Sequence, residues 1–252
     1  MPGPRLSLVV IARDEVERIA ACLDSVPWAD ERLVLDSGSR DGTQALCRAH
    51  GARVVETDWP GFGAQKNRAL DLARGDWILN LDADECLSPA LAAEIQACIA
   101  RPGPDAYWLP RRSHYLGRVM RFGDWRGDRV LRLFRRGHAR FSDDLVHERL
   151  VVEGSVGVLH APVLHYPFDD LEQVLDKLNR YSTLSARQRL QRGETAGLAK
   201  ALTHGGWTFL RGYLLRGGFL DGREGFLLAL SNGLGTFYRY AKMTTTAQRG
   251  PI

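Results

Sequence analysis

No run of apolar residues in this chain approaches bilayer length. The longest near the start, "LSLVVIA" at residues 6 to 12, falls far short of the roughly 20 residues a spanning helix needs, and later apolar stretches are broken by Gly, Arg and Asp. A transmembrane helix is therefore not expected. Cysteine is sparse too: Cys22, Cys47, Cys86 and Cys98 show no C-x-x-C spacing, and no signal peptide precedes them. Neither a zinc site nor a disulfide framework is favoured, and a reducing cytoplasm is the expected setting. A nucleic-acid recognition motif is also missing, and the net charge of +4 hides an uneven distribution. Residues 1 to 110 hold 11 Lys/Arg against 17 Asp/Glu, whereas residues 111 to 252 hold 23 against 13. An acidic front half with no recognition motif argues against a nucleic-acid partner.

What is there is enough to bury a full core: 252 residues, 44% hydrophobic and 25% charged, about one large domain or one domain with an appendage. The first hundred residues alternate strand and helix patterns. "LSLVVIA" reads as a buried strand, and "RDEVERIAACLDSV" places Val16, Ile19, Ala20 and Leu23 at helical spacing. "ERLVLDSGSRDGT" is a strand ending in Asp36 and a turn. "QALCRAHG" is a short helix closed by Gly51, "ARVVETD" a third strand, and "AQKNRALDLARG" a helix closed by Gly75. "WILNLDADECL" is a fourth strand that ends in acid. Such alternation predicts an α/β fold with right-handed crossovers and a mostly parallel sheet flanked by helices.

In an open α/β sheet ligands bind beyond the carboxyl ends of the strands. Asp14, Asp36, Asp58 and Asp82 all stand at or just after such ends. Nothing basic neighbours Asp82, Asp84 and Glu85 in the sequence. If the segment is extended, Asp82 and Asp84 point the same way, and two converging carboxylates call for a hard divalent cation, Mg²⁺ or Mn²⁺, bridging to ligand phosphates. A simpler reading has Asp84 or Glu85 capping the helix "SPALAAEIQACI".

From residue 101 the pattern changes. "AYWLPRRSHYLG" is a strand with a polar hairpin, and "DRVLRLFRRGHARF" alternates apolar residues with arginines. Residues 111 to 149 carry eleven arginines and five acids, either a solvated face or a pocket for phosphate or an anionic acceptor. "FSDDLVHERL" gathers Asp143, Asp144, His147 and Glu148 at a spacing that a helix would bring together. His147 there is either a hydrogen-bonded structural group or part of a catalytic set. After Pro167 the chain reads as helical. Asp169 with Glu172 resembles a capping box, and Leu171, Val174, Leu178 and Tyr181 form a stripe in a helix running to about Arg192. The last segment mixes Leu and aromatics with Arg and Lys. It reads as packed helices, or as an amphipathic surface for peripheral contact with anionic lipid, with only the tail from Thr244 expected to lack order.

"VVIARDE", "LVLDSGSRDGT", "GAQKNRAL" and "WILNLDADE", in this order, resemble a family 2 glycosyltransferase of the GT-A fold. With "RLF", "VHERL" and "GFLDGREGF" the chain is most similar to the bacterial lipopolysaccharide core β-1,4-glucosyltransferase subgroup. The resemblance implies a GT-A domain over 1–168, with a nucleotide-sugar half at 1–100 and an acceptor and catalytic half at 101–168, followed by a helical extension over 169–252. It implies an inverting hexosyltransferase, with a UDP-sugar, UDP-glucose above others, as donor. Ile11, Ala12 and Glu15 would border the nucleotide, Asp36 would reach the base, and Lys66 would lie near the donor. Asp82 and Asp84 would be the metal motif, with Asp84 the direct ligand. This sequence has Arg13-Asp14 where many relatives show an aromatic or Thr before Asn.

The chemistry of transfer assigns further tasks. Charge builds on the departing diphosphate, and a divalent ion together with Lys66 or Arg132 can offset it. Inversion needs a base on the opposite face; Glu148 is the first candidate and Asp144 the second, with His147 as a metal or diphosphate neighbour. The expected acceptor is a lipopolysaccharide inner core or similar lipid-linked glycan at the inner face of the cytoplasmic membrane. A peptide acceptor, a nucleotidyltransferase and a non-catalytic module for a nucleotide sugar or anionic membrane are the alternatives. A nucleotidyltransferase would carry a Gly-rich basic loop where this chain has "RDEVER". The sequence leaves the oligomeric state open.

Overall fold

The computed structural model describes residues 3–142 and 149–247. The chain divides into two compact units: residues up to Arg112 together with Gly127–His165, and Ser113–Arg126 together with the residues from Tyr166 on.

The first unit opens with β1 (Leu6–Ala12), α1 (Ile19–Asp24), β2 (Glu31–Asp36), α2 (Thr43–Ala49), β3 (Arg53–Glu56), α3 (Phe62–Leu72) and β4 (Trp77–Asp82). These strands lie in the order β3-β2-β1-β4 and all pair in parallel. Nearly every residue of β1 and β4 is buried, as expected for parallel strands covered on both faces by helices. The register sets Ala12 opposite Asp36 and Ile11 opposite Asp82, so the ends of three strands arrive side by side.

Beyond β4 come β5 (Glu85–Leu87), α4 (Pro89–Ile99) and β6 (Ala106–Tyr115). The final residues of β6 pass into the second unit and turn back through the two-residue β7 (Arg118–Val119). Then follow β8 (Arg129–Arg135), β9 (Ala139–Phe141), β10 (Leu150–Val152), β11 (Val156–Val158) and β12 (Val163–His165). β8 inserts between β4 and β6 and is antiparallel to both, and β12 is antiparallel to β5. The sheet is therefore mixed, with a parallel first half. One core lies on each face: Leu8, Val10, Leu79, Leu81, Leu91 and Ile95 belong to one, and Val9, Leu33, Leu35, Ile78 and Phe134 to the other.

Several local expectations change. Ser88 caps α4, accepting a hydrogen bond from the N–H of Leu91 at 3.2 Å, so Asp84 and Glu85 are released from that role. Helix α3 ends at Leu72 with Ala73 already extended. Gly75 lies beyond it for a different reason: a Cβ there would come within 2.6 Å of the Ser7 amide nitrogen, so only glycine lets the chain pass.

The second unit contains α5 (Leu171–Gln191), α6 (Leu198–Leu210), a π turn at Arg211–Leu215, a 3-10 turn at Gly218–Asp221 and α7 (Gly222–Ala247). The cap of α5 is Asp170, which accepts from the Gln173 N–H at 2.8 Å, while Gln173 Oε1 accepts from the Asp169 N–H at 3.1 Å. The expected box thus sits one residue later than Asp169 and Glu172. Val174 packs with Tyr115, Met120 and Leu228, and Ala186 with Ala201, Tyr240 and Met243. Helix α7 continues past Thr244 to Ala247. Among the described residues no helix is long and apolar enough to cross a membrane.

Candidate active site

The loops at the carboxyl ends of β1 and β2 are tied to each other. Asp36 is fully buried, and its Oδ1 accepts from the amides of Gly38 at 3.0 Å and Ser39 at 2.9 Å and from Gln44 Nε2 at 2.6 Å. Its Oδ2 accepts from the Ser39 hydroxyl. Asp14 takes a left-handed backbone with φ of 56°, a conformation that Asp and Asn tolerate better than other non-glycine residues. Its N–H donates to Ser39 Oγ at 2.9 Å and its Oδ1 accepts from the Arg40 amide at 2.8 Å. Asp14 is thus built into the loop by its backbone conformation and its side-chain acceptor. The Glu15 N–H donates to Thr43 Oγ1 at 2.8 Å. Ile11 is half-buried and Ala12 buried where the strands end.

At the end of β4 the chain turns instead of staying extended: residues 83 and 84 form a turn, closed by a hydrogen bond from the Asp82 N–H to Glu85 Oε2 at 3.1 Å. The acids missing a basic neighbour in sequence acquire several in space. Lys66, buried on α3, places Nζ 3.1 Å from Asp82 Oδ1 and 5.2 Å from the centre of the Phe141 ring. Arg132, buried on β8, donates from Nη2 to Asp82 Oδ2 and, at 2.8 Å, to Glu85 Oε1. Arg111 on β6 adds an ion pair with Glu85 at 3.5 Å and a tighter one with Asp128 at 2.5 Å. Glu85 is completely buried, so these arginines compensate a charge that would otherwise be untenable.

Asp84 takes a different partner. His165, at the end of β12, brings Nε2 to 3.4 Å from Asp84 Oδ2, with both side chains largely shielded. Burial alone would raise the Asp82 carboxyl; the charges of Arg132 and Lys66 outweigh it and hold that group well below the usual carboxylate range. Arg132 is correspondingly pushed up, as Asp82 and Glu85 outweigh its own burial.

Lys66, Asp82 and Arg132 thus meet in one cluster; Glu85, from the acidic strand end, joins it, as do Arg111 and His165, to which the sequence assigned no role. Asp144, His147 and Glu148 lie outside the described residues, as does Asp143. Among the described residues no three His, Cys, Asp or Glu groups converge to hold a metal by themselves. Asp84 and His165 would offer a carboxylate oxygen and an imidazole nitrogen to a divalent ion. The nitrogen donor suits Mn²⁺ better than the oxygen-seeking Mg²⁺.

The ion cluster lies at the carboxyl edge of the parallel half of the sheet, where open α/β folds bind their ligands. Residues 7–149 match the family described as Glycosyl transferase family 2. The chain belongs to that family; it is a glycosyltransferase, and its mixed sheet with flanking helices has the GT-A architecture. Among its relatives is the Rhizobium meliloti lipopolysaccharide core biosynthesis glycosyltransferase LpsC, 33% identical over 96% of this chain and 93% of the relative. An uncharacterized glycosyltransferase of Rickettsia typhi is 29% identical over 95% of this chain and 86% of its own. A glucosyl-3-phosphoglycerate synthase of Mycolicibacterium paratuberculosis is 37% identical over 32% of this chain and 29% of its own length.

Proposed function

We propose that this glycosyltransferase moves a hexose, glucose from UDP-glucose, with inversion onto a phosphorylated, lipid-linked glycan of the lipopolysaccharide inner-core type. The observation that carries the reading is the cluster of Lys66, Arg132, Asp82 and Glu85 beside the Asp84–His165 pair. Lys66, Arg111 and Arg132 face Asp82 and Glu85, with Arg111 also paired to Asp128, and Asp84 lies beside His165. A nucleoside diphosphate entering here would add negative charge. Asp84 and His165 would hold a divalent ion that offsets it.

That ion, when bound, acts as a Lewis acid that offsets charge on the departing diphosphate. Lys66 and Arg132 are fixed by their carboxylates and need little reorganisation to orient and stabilise the same charge. On the other side of the sugar the acceptor hydroxyl oxygen forms a bond to the anomeric carbon as the bond to the diphosphate breaks. Glu148 takes the hydroxyl proton, and the nucleoside diphosphate leaves with the electron pair. One displacement of this kind inverts the anomeric centre. Asp82 is a positioning group in this scheme, its charge spent on Lys66 and Arg132, and Asp84 is the direct metal ligand. Ile11, Ala12, Glu15 and Asp36 border the nucleotide at the ends of β1 and β2.

Support for the acceptor comes from the near full-length likeness to a relative named for lipopolysaccharide core biosynthesis. The name glucosyl-3-phosphoglycerate synthase, on a relative that matches a shorter stretch, favours a glucosyl donor and an anionic acceptor. The test is calorimetric titration with UDP, UDP-glucose and a guanine nucleotide, each with and without Mn²⁺, on the native chain and on Asp84→Ala. Metal-dependent binding of uridine nucleotides that vanishes in the variant is the expected result. No binding by a folded protein would overturn the reading.

A further inference from the structure

The motif "GFLDGREGF" plays no part in the transfer scheme, and its structure is unusual. It forms the tip between α6 and α7, where the π turn, the 3-10 turn and the start of α7 double back within a few residues. The backbones approach so closely that a Cβ on Gly225 would collide with the Gly218 carbonyl oxygen, and one on Gly218 would come within 2.7 Å of the Gly212 oxygen. Asp221, 2% exposed, closes the turn by accepting from the amides of Arg121 at 3.0 Å and Phe122 at 2.8 Å. Arg211 and Arg216 are held by Asp124 at 3.2 and 2.8 Å.

This rigid tip turns apolar side chains outward. Leu215 is 69% exposed, and Leu214, Phe219 and Leu220 are about half exposed. The apolar surface runs on along α6 through Leu202 and Leu198, with Trp207 and Leu210 beside them. It also runs along α7 through Phe226, Leu230, Leu234 and Tyr238, one residue per turn. Phe226 links the two helices, packing edge-on against Phe209 and Tyr213. Contiguous apolar surface on this scale signals a partner.

Charge identifies the partner. From residue 195 to 247 the chain has six Lys/Arg and two acids, Asp221 and Glu224. Asp221 is buried in internal bonds and Glu224 pairs with Arg223, while Arg211 and Arg216, paired to Asp124, and Arg223 keep much of their side-chain surface exposed around the tip. The exposed acids of this unit, Asp169, Asp170, Glu172 and Asp176, stand at the start of α5. That helix packs on α7 through Val174 and Leu228, and α6 meets α7 at Gly205 and Gly233. We infer that the α6–α7 tip is a membrane-docking surface: Leu214, Leu215, Phe219 and Leu220 enter the interfacial region, and the arginines around them take anionic lipid headgroups. A second copy of the chain could not supply a complementary acidic patch from this same tip, because Asp221 and Glu224 are buried there. The inference is independent of nucleotide binding, so the calorimetric result above leaves it untouched.

The test is co-sedimentation of the full chain with vesicles of phosphatidylcholine alone and of phosphatidylcholine mixed with phosphatidylglycerol. Each is run in low salt and in about 0.5 M NaCl, which shortens the reach of the headgroup charge to a few ångström. The chain is expected to pellet with the anionic vesicles, less so in high salt, and poorly with the neutral ones. Leu215→Glu/Phe219→Glu should weaken that partitioning by roughly tenfold or more, with an unchanged far-UV circular dichroism spectrum showing that the fold survives. A second variant, Arg223→Glu, should weaken binding to the anionic vesicles only. Equal pelleting of the double variant, or no pelleting of the native chain with anionic vesicles in low salt, would overturn the inference. A native dimer that the double variant dissolves, without vesicle binding by either, would assign the surface to a second copy.

Discussion

Nε2 of His165 lies 3.4 Å from a carboxylate oxygen of Asp84, a pairing created entirely by the fold. His165 ends β12, which runs antiparallel to β5 with His165 opposite Glu85, directly beside the turn that carries Asp84. The strand pairing therefore gives the acidic turn an imidazole that no local motif announces.

If these two residues hold the metal together, His165→Ala should behave like Asp84→Ala. Each is expected to weaken Mn²⁺-dependent UDP binding by about 10- to 100-fold or more, on the scale of disturbed metal sites. The double variant should bind little worse than the weaker single variant, because both changes remove one shared site. Calorimetry on the three variants checks this. A His165→Ala protein with unaltered metal dependence would leave the histidine a structural role at the sheet edge.

The buried part of the cluster makes a prediction about stability. Among the described residues, Arg132→Met leaves buried Glu85 with Arg111, 3.5 Å away, as its remaining cation and Asp82 with Lys66 as its own. Breaking a buried pair in this way typically costs about 3–5 kcal/mol, to be read from urea denaturation. Arg132→Met/Glu85→Met should recover most of that loss, since the uncompensated charge is gone. If the double variant is as unstable as the single one, packing and not charge sets the cost.

How much of this was legible in the sequence follows from the distances involved. The strands β1 to β4 and the helices between them were readable because a buried parallel strand is a run of apolar residues and an amphipathic helix repeats every three to four. The acidic edge was readable because strand ends are local. The pairing partners of those acids were not: Lys66 comes from α3, and Arg132, Arg111 and His165 from three strands that the pairing of β4, β8, β6, β12 and β5 brings together. Of the eleven arginines between residues 111 and 149, Arg132 was singled out for the departing diphosphate, but nothing local showed that the fold would bury it against Asp82 and Glu85. Adjacent acids at 169 and 170 left the cap of α5 ambiguous by one residue, and a serine directly before Pro89 was the better cap for α4 than the acids upstream. The order of "VVIARDE", "LVLDSGSRDGT", "GAQKNRAL" and "WILNLDADE" was sufficient for the family.

Acid titration gives an independent check at the other end of the sheet. Glu31 is mostly buried, which would raise its carboxyl. Hydrogen bonds from Ser7 Oγ at 2.6 Å, the Arg74 amide at 2.8 Å and Arg53 Nη2 at 2.9 Å outweigh burial and lower it. The folded value thus lies below the unfolded one, about 4.3. Its contribution to stability is complete above that unfolded value and is lost as pH falls through the folded one. Glu31→Gln should therefore be less stable than the native chain at neutral pH, and the gap should narrow as pH falls below about 4. Urea midpoints measured from pH 7 to pH 3 check the sign; a gap that widens in acid would contradict it.

The base is the remaining assignment. Inversion by a single displacement requires a carboxylate that accepts the acceptor proton during attack, and Glu148 in "VHERL" is the candidate, with Asp144 second. Glu148→Gln keeps the size of the side chain and removes its basicity, so turnover should fall by about 10²-fold or more while UDP binding with Mn²⁺ stays at the native level. Asp144→Asn should leave turnover within a few-fold of native. The two variants discriminate because a residue needed only to shape the site would disturb binding and turnover together, whereas the base affects the chemical step alone. Near-normal turnover by Glu148→Gln combined with a collapse in Asp144→Asn would transfer the role to Asp144, since only a group aligned with the attacking hydroxyl can show that pattern.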